Sequence, residues 1–205
     1  MARKTLIRRG GTAASALALI LGGVYAVEGG YVNHKDDRGG PTHSGVTQVV
    51  ARQNGYLGDM RNFPRNCNAT VTVCADNIYT EIYVSKPGFY PLLTLDPGVA
   101  AEVIDTGINM GPAIASRFLQ AAINVNCGPA RLTVDGKVGR ATIAAYSACQ
   151  RSIGAVPFCT RVLGSLDAQQ EQRYRRIVQN QPSQAVFLKG WIAHRIGNVD
   201  RASCQ

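Results

Sequence analysis

The chain of 205 residues has little with which to hold a metal or a nucleic acid. It contains three histidines, at 34, 43 and 194, and its six cysteines (67, 74, 127, 149, 159 and 204) form no C-x-x-C pair. Structural and catalytic metal sites need several such ligands at short spacing, so the sequence implies no metal and no cofactor. It has no run of Lys and Arg interleaved with aromatic residues, which argues against nucleic acid as a partner. Internal repeats, low-complexity tracts and linkers are also missing, so the length fits one large domain or two small ones. Acidic residues are scarce, 13 against 22 basic, for a net charge of +9. With nucleic acid set aside, that surplus suits an anionic cell wall or an anionic lipid surface. An apolar fraction of 45% is ordinary for a globular protein and allows a sizeable core.

All six cysteines lie beyond the N-terminal segment, and an even number suits disulfides in an oxidising compartment; buried reduced thiols are the alternative. Cys67 and Cys74 are close enough to close a small loop. Spacing leaves the other pairings open, with Cys204 a candidate free thiol.

Residues 1–9 carry Arg3, Lys4, Arg8 and Arg9, whereas residues 10–27 carry no charge. Basic first and apolar second orients a membrane segment with its N-terminus in the cytoplasm. About eighteen residues are just enough to span. Four Gly and five Ala dilute the Leu, Ile and Val, so the segment should insert weakly and be able to leave.

After Glu28 come Gly29 and Gly30, placed as a helix stop. Residues 33–47 read as a loop with Gly39, Gly40, Pro41 and Gly45 as breakers, able to make a short β-hairpin. Helical spacing follows over 46–56, ending at Asn54-Gly55, and over 76–84, with Asp76 as its cap. Asp96-Pro97 starts a very apolar helix over 97–110. Gly111-Pro112 turns into another over 113–124, with Ala115, Phe118, Leu119 and Ala122 on one stripe. Residues 133–147 read as turn then helix. Residues 165–181 and 183–196 are helical in pattern, and the apolar stripe of the second makes Trp191 a core residue rather than a sugar-stacking platform. The fold class is mainly α.

Two carboxylates then stand out. Glu28 closes an apolar run beside Tyr25, Val27 and Tyr31, where burial would raise its pKa and keep it protonated. Asp37, nine residues on in a polar glycine-rich loop, would stay ionised. Contrasting environments of this kind divide acid from base in glycoside hydrolysis, and Thr42 could hydrogen-bond the attacking water. A signal-peptide cleavage at Val24-Tyr25-Ala26 is a competing reading. It would leave Glu28 second in a frayed terminus, a poor support for an acid.

Residues 28–47, EGGYVNHKDDRGGPTHSGVT, resemble the signature of glycoside hydrolase family 108, whose members are lysozyme-like N-acetylmuramidases. They include phage endolysins and secretion-activator proteins. The match holds at Glu28, Gly29, Gly30, Tyr31, Asp37, Gly39, Gly40, Thr42, Gly45 and Thr47. It departs at His34, Lys35 and Arg38, where the family pattern has Asp-Pro and a second Pro. The resemblance implies Glu28 as general acid, Asp37 as base or cation stabiliser, Thr42 as water-positioning group and Tyr31 as a substrate contact. VIDTGINMGPAIASRFLQ (103–120) is similar to the family's Phe-Asp-x-x-Val-Asn-x-Gly-Pro helix pair, which implies Asp105 and Asn109 as cleft-lining or supporting residues. Residues 134–146 and QPSQAVFLKGW (181–191) resemble a peptidoglycan-binding module, and 57–75 looks like an insertion.

The expected architecture is a signal-anchor over 1–27 that is also the first helix of the enzyme, a lysozyme-like domain over 25–125, and a peptidoglycan-binding-type region over 126–205 packed on it. Residues 10–27 resemble the weakly hydrophobic segments of phage signal-anchor-release endolysins. The expected protein is therefore a monomeric endolysin acting on peptidoglycan. It would be held in the host inner membrane, then released to the periplasm to hydrolyse the bond between N-acetylmuramic acid and N-acetylglucosamine. A bacterial muramidase assisting secretion and a non-catalytic wall-binding protein are the alternatives.

Overall fold

The computed structural model describes residues 6, 11–28, 30–33, 40–128 and 132–205, with side chains at 27 and 28 left out. The fold is mainly α. Helix α1 spans Ala13–Glu28. It is capped by Thr12, whose hydroxyl accepts from the Ser15 backbone N–H at 3.2 Å. The expected glycine stop falls on Gly29, outside the described residues. Strands β1 (Thr42–His43) and β2 (Val46–Thr47) form a two-stranded hairpin. Its turn is Ser44-Gly45, both at positive φ (50° and 72°), the backbone a two-residue hairpin needs. Helix α2 (Gln48–Gln53) is shorter than its spacing suggests. Val46 is taken by the hairpin, and Thr47 caps the helix by accepting from the Val50 N–H.

Helix α3 (Ala75–Thr80) continues through one wide turn to Ser85. Its cap is Cys74, fixed in a disulfide to Cys67, and not Asp76. The carboxylate of Asp76 is instead engaged with Tyr25 and Asn66. The chain then passes Gly88 (φ +85°), where an added Cβ would come within 2.0 Å of the Val138 carbonyl oxygen. A short helix, α4 (Leu92–Leu95), leads into α5 (Pro97–Met110). Asp96 caps α5 as its sequence predicts, and ten of its fourteen residues are buried, so α5 is the central helix. Beyond the Gly111 turn stand α6 (Pro112–Asn126), α7 (Arg140–Ile153), the long α8 (Ala155–Asn180) and α9 (Ala185–Arg195).

Two apolar clusters make the core. The larger gathers α4 to α8, with Ala16 and Ile20 of α1. The smaller joins Leu21 and Val24 of α1 to Val46, Ala51, Met60, Phe63, Ile78 and Tyr79. Helix α1 thus enters both clusters and ties the hairpin to the helical body. Its outer face is made of small residues, with Ala14, Ser15, Ala18, Gly22 and Ala26 exposed, plus Leu19. Among the described residues no helix is long and apolar enough to cross a membrane. Three disulfides form: Cys67–Cys74, Cys127–Cys149 and Cys159–Cys204, so Cys204 is paired rather than free.

Candidate active site

The site is built where α1 ends. Position 28 follows Leu21, Val24 and Tyr25 at helical spacing, the stripe by which α1 enters the smaller core. Tyr25 fixes that last turn. Its hydroxyl donates to Asp76 Oδ1 at 2.7 Å, its ring meets Tyr79 edge-on with centroids 5.7 Å apart, and the Arg65 guanidinium lies over its face at 5.3 Å. Burial and the Asp76 carboxylate push the Tyr25 hydroxyl far above its ordinary pKa, so it acts as a fixed donor. Asn66 donates to the other oxygen of Asp76 at 2.7 Å. The end of α1 is therefore clamped to the start of α3, one residue after the disulfide-bonded Cys74.

The hairpin then returns to the same end. Val32 and Thr42 exchange both backbone hydrogen bonds, each at 2.8 Å. This joins the two ends of the stretch that contains Asp37 and brings Thr42, half-buried, level with a residue only four past Glu28. The loop's exit is pinned where the Gln48 N–H donates to the Pro41 carbonyl at 2.8 Å. Gly40, at φ +72°, lies so near Gln48 that a Cβ would be 3.1 Å from its Oε1. Asp37 and the side chain of Glu28 lie outside the described residues. Tyr31 is exposed beside the bridge.

Asp105 and Asn109 are not brought to this hairpin. Both turn toward the C-terminal helices. Asp105 accepts from Arg195 at 2.7 Å and from Asn198 at 3.0 Å, while Asn109 donates to the Tyr174 hydroxyl at 2.6 Å. Burial raises the Asp105 pKa, and Arg195 opposes that rise. Beside them lies a network with no sequence signal. Glu102, fully buried, accepts from Gln170, and Asp167 accepts from Arg201 and from the Gly197 N–H. Its bonded pairs are up to 68 residues apart along the chain, beyond the reach of any spacing rule. Trp191, expected in the core, is only half-buried on a helix that buries no residue. A cleft of about 340 Å³ lies against α3, lined by Asn54, Thr72, Val73, Asn77, Ile78, Thr80 and Glu81. Among the described residues no group of His, Cys, Asp or Glu is placed to hold a metal ion.

Residues 21–111 match the family described as glycosyl hydrolase 108. This part of the chain is similar to glycosyl hydrolase family 108. Residues 114–196 match a predicted peptidoglycan domain. The two matches meet at the Gly111-Pro112 turn between α5 and α6, ahead of the division at 125 and 126 read from the sequence. No curated protein gives a significant match. Among solved structures, that of Brucella abortus SagA is similar over 93% of this chain and 94% of that one, with 26% identity and a TM-score of 0.61. The family 108 region contains the whole of α1's clamped end, the hairpin and α3. With the peptidoglycan domain behind it, the protein is a glycosidase directed at peptidoglycan.

Proposed function

We propose that the protein is an N-acetylmuramidase that cuts the β-1,4 bond between N-acetylmuramic acid and N-acetylglucosamine. In this reading Glu28 gives its proton to the leaving glycosidic oxygen as the C1–O bond breaks. Asp37 takes a proton from the attacking water or steadies the cation, and Thr42 holds that water. The observation that supports it best is the reciprocal Val32–Thr42 bridge, which pairs the threonine with a residue four past Glu28 inside a family 108 match. Asp105 and Asn109 fit a supporting role better than a substrate contact, because their polar atoms are engaged by Arg195, Asn198 and Tyr174.

The biological setting we propose is lysis by a phage endolysin with a releasable anchor. Residues 10–27 would hold the chain in the inner membrane with the enzyme in the periplasm, then fold into α1. Two features support this: the charge-free run behind four basic residues, and the small-residue outer face of α1, which tolerates both lipid and water. A bacterial muramidase is the second reading, favoured by the likeness to a Brucella abortus protein. A pinholin gene beside this one would support the phage setting.

Digestion of purified peptidoglycan tests the chemistry. The wild type should release reducing muramic ends, and Glu28→Gln should lose activity by roughly a hundredfold or more. Anhydro-muramic ends would replace hydrolysis by transglycosylation, and a fully active Glu28→Gln would remove Glu28 from its role.

A further inference from the structure

Helix α9 buries none of its residues, yet it carries Val186 (77% exposed), Phe187 (52% exposed) and the chain's single tryptophan. Three rings form a ladder there. Tyr174, buried on α8, stacks on Trp191 with centroids 5.0 Å apart and planes 22° apart; Trp191 stacks on Phe187 at 5.9 Å and 29°. The inner end is fixed by Asn109, which donates to the Tyr174 hydroxyl. Phe187 ends the ladder on the solvent side. Gly190 shares its face of the helix, three residues on, and a Cβ there would meet nothing within 4 Å. The result is a supported aromatic surface beside an open notch. Core packing does not account for it, and contiguous exposed apolar residues mark a binding surface.

Charge identifies the occupant. Residues 114–196 carry eleven Lys and Arg against three Asp and Glu, whereas residues 21–111 carry six against nine. The surplus of positive charge beyond the N-terminal segment thus sits in the part that bears the ladder, with Lys189 exposed next to Gly190. A pyranose presents an apolar face of C–H bonds to an aromatic ring, and peptidoglycan adds the carboxylates of muramic acid and its peptides. We infer that the Phe187–Trp191 face of α9 is a stacking platform for the glycan strand of peptidoglycan, separate from the hairpin where the bond is cut. The inference rests on the reading of the protein as wall-directed and names the residues that would do the holding.

The test uses full-length Glu28→Gln protein, so that sacculi are bound without being digested, and measures co-sedimentation with purified sacculi. Adding Phe187→Ala should weaken binding about fivefold, whereas Phe187→Tyr, which keeps the ring, should restore it. Gly190→Glu places a carboxylate in open space without disturbing packing and should weaken binding by a similar factor. Val125→Ala, an exposed apolar position off this face, should change nothing. Soluble glycan fragments should shift the emission of Trp191, the only tryptophan. Sacculus binding unchanged by both Phe187→Ala and Gly190→Glu would overturn the platform. So would a Phe187→Ala defect confined to anionic lipid vesicles. A parent protein that does not sediment with sacculi would overturn the wall-directed reading as well.

Discussion

Glu102 shows how much one buried residue governs. Its carboxyl is fully enclosed on the central helix, with Oε1 accepting from Gln170 and Oε2 without a hydrogen-bond partner among the described residues. Burial raises its pKa well above the ordinary value, the Asp167 and Asp105 carboxylates raise it further, and Gln170 and Arg201 only partly offset this. A carboxyl shifted upward is held as the neutral acid in the fold. Its contribution is fully present below the ordinary glutamate pKa of 4.5 and is lost as pH rises from there toward the raised value, because the unfolded chain ionises first. Glu102→Gln carries no such proton. Melting temperatures of the two proteins should therefore lie closest near pH 4 and diverge in favour of Glu102→Gln as pH rises to 8. Parallel curves across that range would show that Glu102 is ionised in the fold. Nothing at the sequence level marks this residue: a glutamate inside an apolar stripe reads as an ordinary helix position until α8 is laid against it.

Helix α1 is the element on which the functional proposal turns, and it shows what periodicity can and cannot reveal. Its apolar character, its end at Glu28 and the hairpin after it follow from the sequence, because composition and glycine placement are local signals. So do the Asp96 cap and the buried centre of α5. The clamp on α1's last turn does not, since Tyr25 and Asp76 are 51 residues apart. Local capping rules assign Asp76 to a helix start that the disulfide-bonded Cys74 occupies instead. For the same reason Trp191 reads as core from its apolar stripe, whereas α9 buries none of its residues. The folded position of α1 sharpens the test of the anchor. Gly22 is exposed, and a side chain there would meet nothing within 4 Å. Gly22→Leu should thus leave the soluble enzyme folded and as active on peptidoglycan as the wild type. In the membrane the same change adds a large apolar residue to a marginal span, favouring retention by roughly 0.5 kcal/mol or somewhat more over glycine. Expressed in cells, it should shift protein from the soluble to the membrane fraction and delay lysis. Unchanged fractionation and lysis timing would remove the anchor from the account.

At the scale of the molecule, the C-terminal segment closes the fold. Asp105 holds Arg195 and Asn198, Asp167 holds Gly197 and Arg201, and the Cys159–Cys204 disulfide fastens the last turn, Arg201–Cys204, to α8. The two aspartates lie on α5 and α8, so the segment bridges the helix that ends the hydrolase region and the longest helix of the region behind it. A cross-link stabilises chiefly by limiting the unfolded chain, and more so the longer the loop it closes. Cys159 and Cys204 are 45 residues apart, Cys67 and Cys74 only seven. The longer loop corresponds to about 4 kcal/mol and the shorter to roughly half that on the loop-entropy relation. Replacing Cys159 and Cys204 by serine should lower the melting temperature by roughly 10 °C. It should also speed amide exchange at residues 197–204 beyond that global loss, because Asp105 and Asp167 would then hold the segment alone. Replacing Cys67 and Cys74 should cost less overall stability and loosen the start of α3, where Asp76 grips Tyr25. That second variant should therefore lose hydrolysis more steeply than stability, and the first the reverse. Equal losses of both quantities in the two variants would mean that the disulfides act on the fold as a whole and that the α1–α3 clamp does not set the active site.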